Sequence, residues 1–208
     1  MKNRQRRALL SVKRRMSNEE QRARWDLKYE QGLPSLTEPD PFFIFAYETF
    51  VKPSFPNGGE ALDLAGGLGR HALWLASRNW RVTVVDVSDV AIERLRQTAT
   101  ELSVHRNLTL LIGDAADHDF ALAKVDLIVL FYHFDRSLFP KIISTLRPGG
   151  LLLSKMSLRW ETADTPVRGG AEPLRRDELP SLVPQLQVLH HLERPVRNRG
   201  VAEFVGRK

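Results

Sequence analysis

The stretch EALDLAGGLGRHALWLASRNWRVTVVDVS, Glu60 to Ser88, decides the fold. Ala61–Leu64 is a short apolar run holding one acid, Asp63. Ala65-Gly66-Gly67-Leu68-Gly69 follows, and glycine weakens both helix and strand interiors, so this is a turn. Arg70–Arg78 has helical spacing, with Leu73 and Ala76 on one face and Ala72 and Leu75 beside them. Arg81–Val85 is rich in β-branched residues and runs into Asp86. Strand, glycine turn, helix, strand and acid in that order make the first βαβ unit of a nucleotide-binding α/β sheet.

The same order carries chemistry. Gly67 and Gly69 lack a Cβ, so the backbone turns tightly and lets a ligand approach. The turn opens a helix whose free N–H groups favour a polar or anionic ligand end. Asp86 closes the second strand, where a carboxylate can accept both hydroxyls of a ribose. Two cofactors fit. Gly67-Leu68-Gly69-Arg70-His71-Ala72 reads G-x-G-x-x-A, and Asp86 stands 17 positions after Gly69, near the roughly 20 of a dinucleotide site, which favours a nicotinamide enzyme. An acid at position 63, just ahead of the turn, argues the other way. It repels a pyrophosphate and suits a ligand bearing an ammonium and a sulfonium.

Asp63-Leu64-Ala65-Gly66-Gly67-Leu68-Gly69 resembles the acid-x-Gly-x-Gly-x-Gly motif of class I S-adenosylmethionine-dependent methyltransferases. The departure is Ala65, where that family usually has glycine; alanine is the smallest substitute, so tolerance is expected. The resemblance implies a Rossmann-like, seven-stranded, mostly parallel sheet with helices on both faces and a C-terminal antiparallel strand pair. It assigns cofactor contacts to Asp63, Ala65, Gly66, Gly67, Gly69, Asp86, Val87, Asp114, Ala115 and Phe131. Asp114, in Gly113-Asp114-Ala115 after the third strand, matches the acid that meets the adenine amino group; as a residue it serves equally well as a helix N-cap.

The chain has 208 residues, 42% apolar and 27% charged, which is ordinary for one globular domain with decoration. No apolar run approaches the ~18 residues of a membrane span. There is no cysteine, hence no disulfide, thiolate metal site or cysteine nucleophile, and a cytoplasmic setting is compatible. The formal charge is +6, but residues 1–15 hold seven lysines and arginines and no acid; without those seven the remainder stands at −1. A basic tail on a near-neutral domain argues weakly for nucleic acid.

Three segments are expected: a basic tail over 1–15, a helical cap over 16–58 and the cofactor domain over 59–208. The tail reads as an RNA-touching arm, a targeting peptide, or upstream sequence ahead of a start at Met16. Ser17–Gln31 is helical, with Ser17 or Asn18 as cap and Glu19-Glu20 in the first turn. Its Trp25-Asp26-Leu27-Lys28-Tyr29 resembles the Trp-Asp-x-x-Tyr element of small-molecule methyltransferases, which implies that Trp25 and Tyr29 cover the cofactor and shape the substrate side. Packing of both rings on the sheet is the plainer alternative. Gly32–Pro41 reads as a loop, and Phe42–Lys52 as a helix whose aromatics serve the core.

Beyond Asp86, Ser88 caps a helix reaching about Leu102, Leu108–Ile112 is a strand, and Val125–Phe131 is the unbroken apolar run of a central parallel strand. Phe131-Tyr132-His133-Phe134-Asp135-Arg136 should face the transferred methyl group. Arg136-Ser137-Leu138-Phe139-Pro140 resembles the tellurite-resistance type of methyltransferase, and Leu146-Arg147-Pro148-Gly149-Gly150 resembles the turn before the fifth strand of the family. Ser137 is expected to cap a helix, Leu151–Ser157 to form a strand, Leu174–Val183 a short helix, and Gln187–Leu192 with Gly200–Val205 the closing strands.

Methyl transfer needs donor and acceptor held in line with water excluded, and no protein nucleophile. His133 and Tyr132 are the candidates for a general base, and Arg136 and Arg168 for binding an anionic acceptor; packing or solvation is the alternative for each. His71 is placed near the cofactor's carboxylate. His190 and His191 alternate across a strand and cannot share one ion, so no metal is expected. The readings carried forward are transfer to a small molecule such as a thiol or metalloid oxyanion, transfer to RNA or protein through the basic arm, and an NAD-dependent oxidoreductase.

Overall fold

The computed structural model describes residues 16–32, 37–120, 124–160, 173–196 and 199–208. Helix α1 (Asn18–Glu30) is followed by α2 (Pro41–Ala46), a π-helical turn over Tyr47–Val51, and α3 (Lys52–Ser54). Then come β1 (Glu60–Leu64), α4 (Arg70–Ala76), β2 (Arg81–Asp86), α5 (Asp89–Glu101), β3 (Leu108–Ile112) and β4 (Val125–Phe131). The chain continues through α6 (Leu138–Thr145), β5 (Leu146–Leu158), α7 (Glu178–Leu182), β6 (Gln187–Val196) and β7 (Arg199–Arg207).

The seven strands form one sheet in the order β3-β2-β1-β4-β5-β7-β6. Neighbours from β3 to β5 are parallel, and β7 runs antiparallel to both β5 and β6. Strand order reverses between β1 and β4, so a crevice opens at their carboxyl ends, where such sheets bind ligands. Strands β1 and β4 are buried on both faces, as their apolar runs require.

Two apolar layers cover the sheet. One holds Phe42, Phe43, Ala46, Val51, Leu75 and Trp80 against Val84, Leu127, Val129 and Leu153. The other sets Leu138, Phe139, Ile142, Leu179 and Val183 against Leu62, Ile128, Leu130 and Phe204. Asp126 holds the amino end of β4 by accepting the Glu60 N–H at 2.8 Å and pairing with Arg147 at 2.8 Å. Among the described residues no helix is long and apolar enough to cross a membrane.

Two local expectations are corrected. The helix expected over Leu174–Val183 is only α7; Leu174 instead forms an isolated parallel bridge to Leu158 at the end of β5. Ser137 makes no side-chain cap on α6: its backbone is already helical, with φ −66° and ψ −18°, where a capping residue is extended, and its hydroxyl donates to Asp135 Oδ1 at 2.8 Å.

Candidate cofactor and acceptor site

The glycine turn is built from left-handed backbone. Gly67 and Gly69 have φ of +56° and +73°, and Ala65 has +54°. A Cβ at Gly69 would lie 2.4 Å from Leu95 Cδ1, so α5 packs directly on the turn. The Gly67 N–H donates to Asp86 Oδ2 at 2.8 Å, and the Ser88 N–H to Asp86 Oδ1 at 2.9 Å. Asp86 is buried, and burial raises its pKa above the ordinary carboxylate value despite those two bonds.

Above the turn lies a cavity of ≈ 330 Å³. Its walls include Ala65, Gly66, Gly67, Asp86, Val87, Asp114, Ala115, Phe131, Tyr132 and His133, with Trp25 and Tyr29 contributed by α1. Residues separated by more than a hundred positions thus meet around one space. Asp114 is buried and accepts the Ala116 N–H at 2.9 Å in its own turn; no helix begins there.

Asp63 and Gly69 lie behind this wall rather than on it. Asp63 is 2% exposed, and its Oδ2 has no hydrogen-bond partner. A Cβ at Gly66 would come within 3.1 Å of that oxygen, so the glycine lies directly against it. Burial, then the nearby Asp86, push the Asp63 pKa up to about 7. A buried, half-satisfied carboxylate fits a cationic guest. Arg70, first residue of α4, also lines the cavity and supplies the opposite charge. A group carrying both an ammonium and a carboxylate is therefore matched at this end.

Helix α1 has no buried residue. Ser17 closes a capping box with Glu20 at its start. Polar contacts dock it: Ser88 Oγ donates to Asp26 Oδ1 at 2.5 Å, Arg22 to Val87 O at 3.2 Å, and Arg94 to Tyr29 O at 2.8 Å. Trp25 and Tyr29 stack with ring centroids 6.0 Å apart. Burial and Asp86 drive the Tyr29 phenol pKa far up, so it stays protonated.

Three expectations for individual side chains change. Tyr132 lines the cavity, but its hydroxyl donates to Asp40 Oδ2 at 3.2 Å, and burial followed by Asp40 raises its pKa, so it is no proton acceptor at neutral pH. Arg136 makes two bonds to Glu178, at 2.7 and 2.8 Å, and one to Pro173 O at 3.2 Å; it clamps the segment before α7. His71 is buried between Phe43 and Phe131, at 4.5 and 4.4 Å, and burial lowers its pKa to about 3. It is a neutral ring accepting the Asp40 N–H at 3.3 Å. Arg168 lies outside the described residues.

Sequence reasoning missed Gln21, Leu68 and Arg70 on the cavity wall, and Asp40 and Lys155 behind Tyr132. A lysine inside the apolar strand Leu151–Leu158 was a readable signal, because a buried ammonium requires a partner. Among the described residues no cluster of three metal-binding side chains occurs.

Residues 61–150 match the family model of a methyltransferase domain. The chain is 33% identical over 92 residues to a 23S rRNA (uracil(747)-C(5))-methyltransferase of Pyrococcus horikoshii; the match covers 42% of this chain and 22% of that protein. The chain thus spans about a fifth of the length of the curated relative it matches. Among solved structures, TehB from Haemophilus influenzae superposes with a TM-score of 0.69 at 18% identity, covering 88% of this chain and 67% of the other. A Burkholderia thailandensis 1,6-didemethyltoxoflavin-N1-methyltransferase, solved with bound 1,6-didemethyltoxoflavin and S-adenosylhomocysteine, superposes with a TM-score of 0.67 at 15% identity, covering 90% of this chain and 87% of the other. At these identities the superpositions establish a shared fold.

Proposed function

We propose that this chain, whose residues 61–150 match the family model of a methyltransferase domain, binds S-adenosylmethionine and methylates a small-molecule acceptor. One observation carries the reading: the glycine turn and the Asp86 carboxylate line one cavity at the point where strand order reverses, with the half-satisfied Asp63 directly behind the turn. A pyrophosphate would sit beside two carboxylates there, which disfavours a dinucleotide.

S-adenosylmethionine supplies an electrophilic methyl group on a sulfonium. The chain's residues bind, orient and exclude water. Asp86 would accept the ribose hydroxyls on the lone pairs left by Gly67 and Ser88. Asp63 and Arg70 would take the ammonium and the carboxylate. Leu68, Val87, Ala115 and Phe131 offer apolar contact to the adenine, and Asp114 an acceptor for its amino group. Trp25 and Tyr29 would close the cavity from α1, leaving Tyr132 and His133 on the acceptor side. His133 remains the candidate general base.

The rRNA-modifying relative matches over 92 residues, so its acceptor does not carry across with that shared part. An RNA reading depends on residues 1–15, which lie outside the described residues.

Calorimetric titration with S-adenosylmethionine, S-adenosylhomocysteine and NAD tests the proposal. Binding of both sulfur compounds without NAD supports it; binding of NAD alone overturns it.

A further inference from the structure

Helix α1 presents two stripes of residues four apart, and such residues share a helix face. Asn18, Arg22 and Asp26 carry docking contacts. Asn18 Nδ2 donates to Asp117 Oδ2 at 2.5 Å, Arg22 Nε donates to Val87 O at 3.2 Å, and Asp26 Oδ1 accepts from Ser88 Oγ at 2.5 Å and from the Val90 N–H at 3.3 Å. Gln21, Trp25 and Tyr29 form the second stripe, and all three line the cavity. The anchors fix where each of them stands. Tyr29 stands at the glycine turn, since a Cβ on Gly67 would lie 2.6 Å from its hydroxyl. Gln21 stands two turns earlier, about 12 Å along the helix. It falls between Asn18, which holds the segment after β3, and Arg22, which holds the end of β2. The cavity wall at that end is Val87, Asp114 and Ala115, the end given above to adenine.

The chemistry of the two polar side chains at this end is complementary. Adenine carries an exocyclic amino group with two hydrogens, and beside it N7, which accepts. A carboxylate such as Asp114 can take one of those hydrogens and has nothing to donate to N7. A carboxamide carries an acceptor and a donor side by side, the pair that matches the amino group and N7 together. Among the described residues none bonds the Gln21 carboxamide, so both of its groups are available to a guest. The capping box of Ser17 and Glu20 fixes the turn from which it projects.

We propose that Gln21 reads the base of the cofactor: its Oε1 accepts from the adenine amino group and its Nε2 donates to N7, while Asp114 takes the second amino hydrogen. Helix α1 thereby contributes base specificity as well as cover. The inference rests on the cofactor reading above.

The full-length protein is titrated calorimetrically with S-adenosylhomocysteine and with its 7-deazaadenine analogue, in which carbon replaces N7 and the amino group is kept. The wild type is expected to bind the analogue about two- to tenfold more weakly, the share of one hydrogen bond. Gln21→Ala should weaken S-adenosylhomocysteine and bind the two compounds equally. Gln21→Glu keeps the size and an acceptor for the amino group but loses the donor, so it should bind the analogue at least as well as S-adenosylhomocysteine. A glutamine that only supports the helix would, when replaced, weaken both compounds alike and leave their ratio unchanged. A wild type indifferent to N7, or a Gln21→Ala variant that keeps the wild-type ratio, therefore overturns the assignment while the cofactor reading stands. Failure of the wild type to bind S-adenosylhomocysteine at all overturns the cofactor reading, and the assignment with it.

Discussion

Gly67 donates its backbone N–H to Asp86 Oδ2 at 2.8 Å, so the glycine turn and the end of β2 are one unit. The acid expected to hold a ribose also sets the shape of the turn beneath it. Asp86→Ala removes both functions and orphans a backbone donor. Bonds to charged groups contribute about 1.5–3 kcal/mol, so S-adenosylmethionine binding should weaken about ten- to a hundredfold, measured calorimetrically. Unchanged affinity would remove Asp86 from the site.

Asp63 links binding to pH. Its folded pKa of about 7 lies above the ordinary carboxylate value, so unfolding releases its proton between roughly pH 4 and 7, and stability falls as pH rises through that window. The cost at pH 8 is at most about 4 kcal/mol. Asp63→Asn should therefore gain stability relative to the wild type from pH 4 to 7 and hold that gain above, read from denaturant midpoints. A cationic ligand favours the ionised acid, so wild-type affinity should drop below pH 7, with proton release on binding. A stability difference that does not vary with pH would refute the raised pKa.

Positions 65 and 67 share a left-handed backbone but differ in side chain. Gly67→Ala would strain the backbone by about 1–2 kcal/mol and place a Cβ 2.6 Å from the Tyr29 hydroxyl. It should lower the thermal midpoint and displace α1. Ala65→Gly relieves the same strain, partly offset by about 0.4–1 kcal/mol of chain entropy, and should leave the midpoint unchanged or raised. Opposite signs at these sites are the test.

Asp26 fastens α1 to the start of α5 through Ser88 Oγ and the Val90 N–H. With no buried residue, α1 is held by polar contacts, of which Asp26 makes two beside those of Arg22 and Arg94. Asp26→Ala should raise amide exchange throughout α1 while β1 and β4 keep their protection, and should speed S-adenosylhomocysteine dissociation. Uniform loss of protection would mean that α1 is integral to the core.

Much of this was local and therefore legible. β3 and β4 fall on their expected residues because apolar runs bounded by turns leave no other solution. The glycine turn, Asp63 and Asp86 were readable because backbone conformation and strand ends are set within a few residues. Trp25 and Tyr29 were placed through a motif, and Asp26, the residue that docks them, passed unread because Ser88 lies 62 positions away.

The sequence by itself determined the βαβ unit, the central apolar strand and the glycine turn with its facing Asp86, since each depends on short-range periodicity, turn chemistry or a single strand end. Tertiary structure alone decided what the polar side chains do. It assigned Arg136 to Glu178, buried His71 as a neutral ring, and joined Tyr132 to Asp40 across 92 positions. Those outcomes turn on which buried charge finds which partner, and distance along the chain carries no information about that.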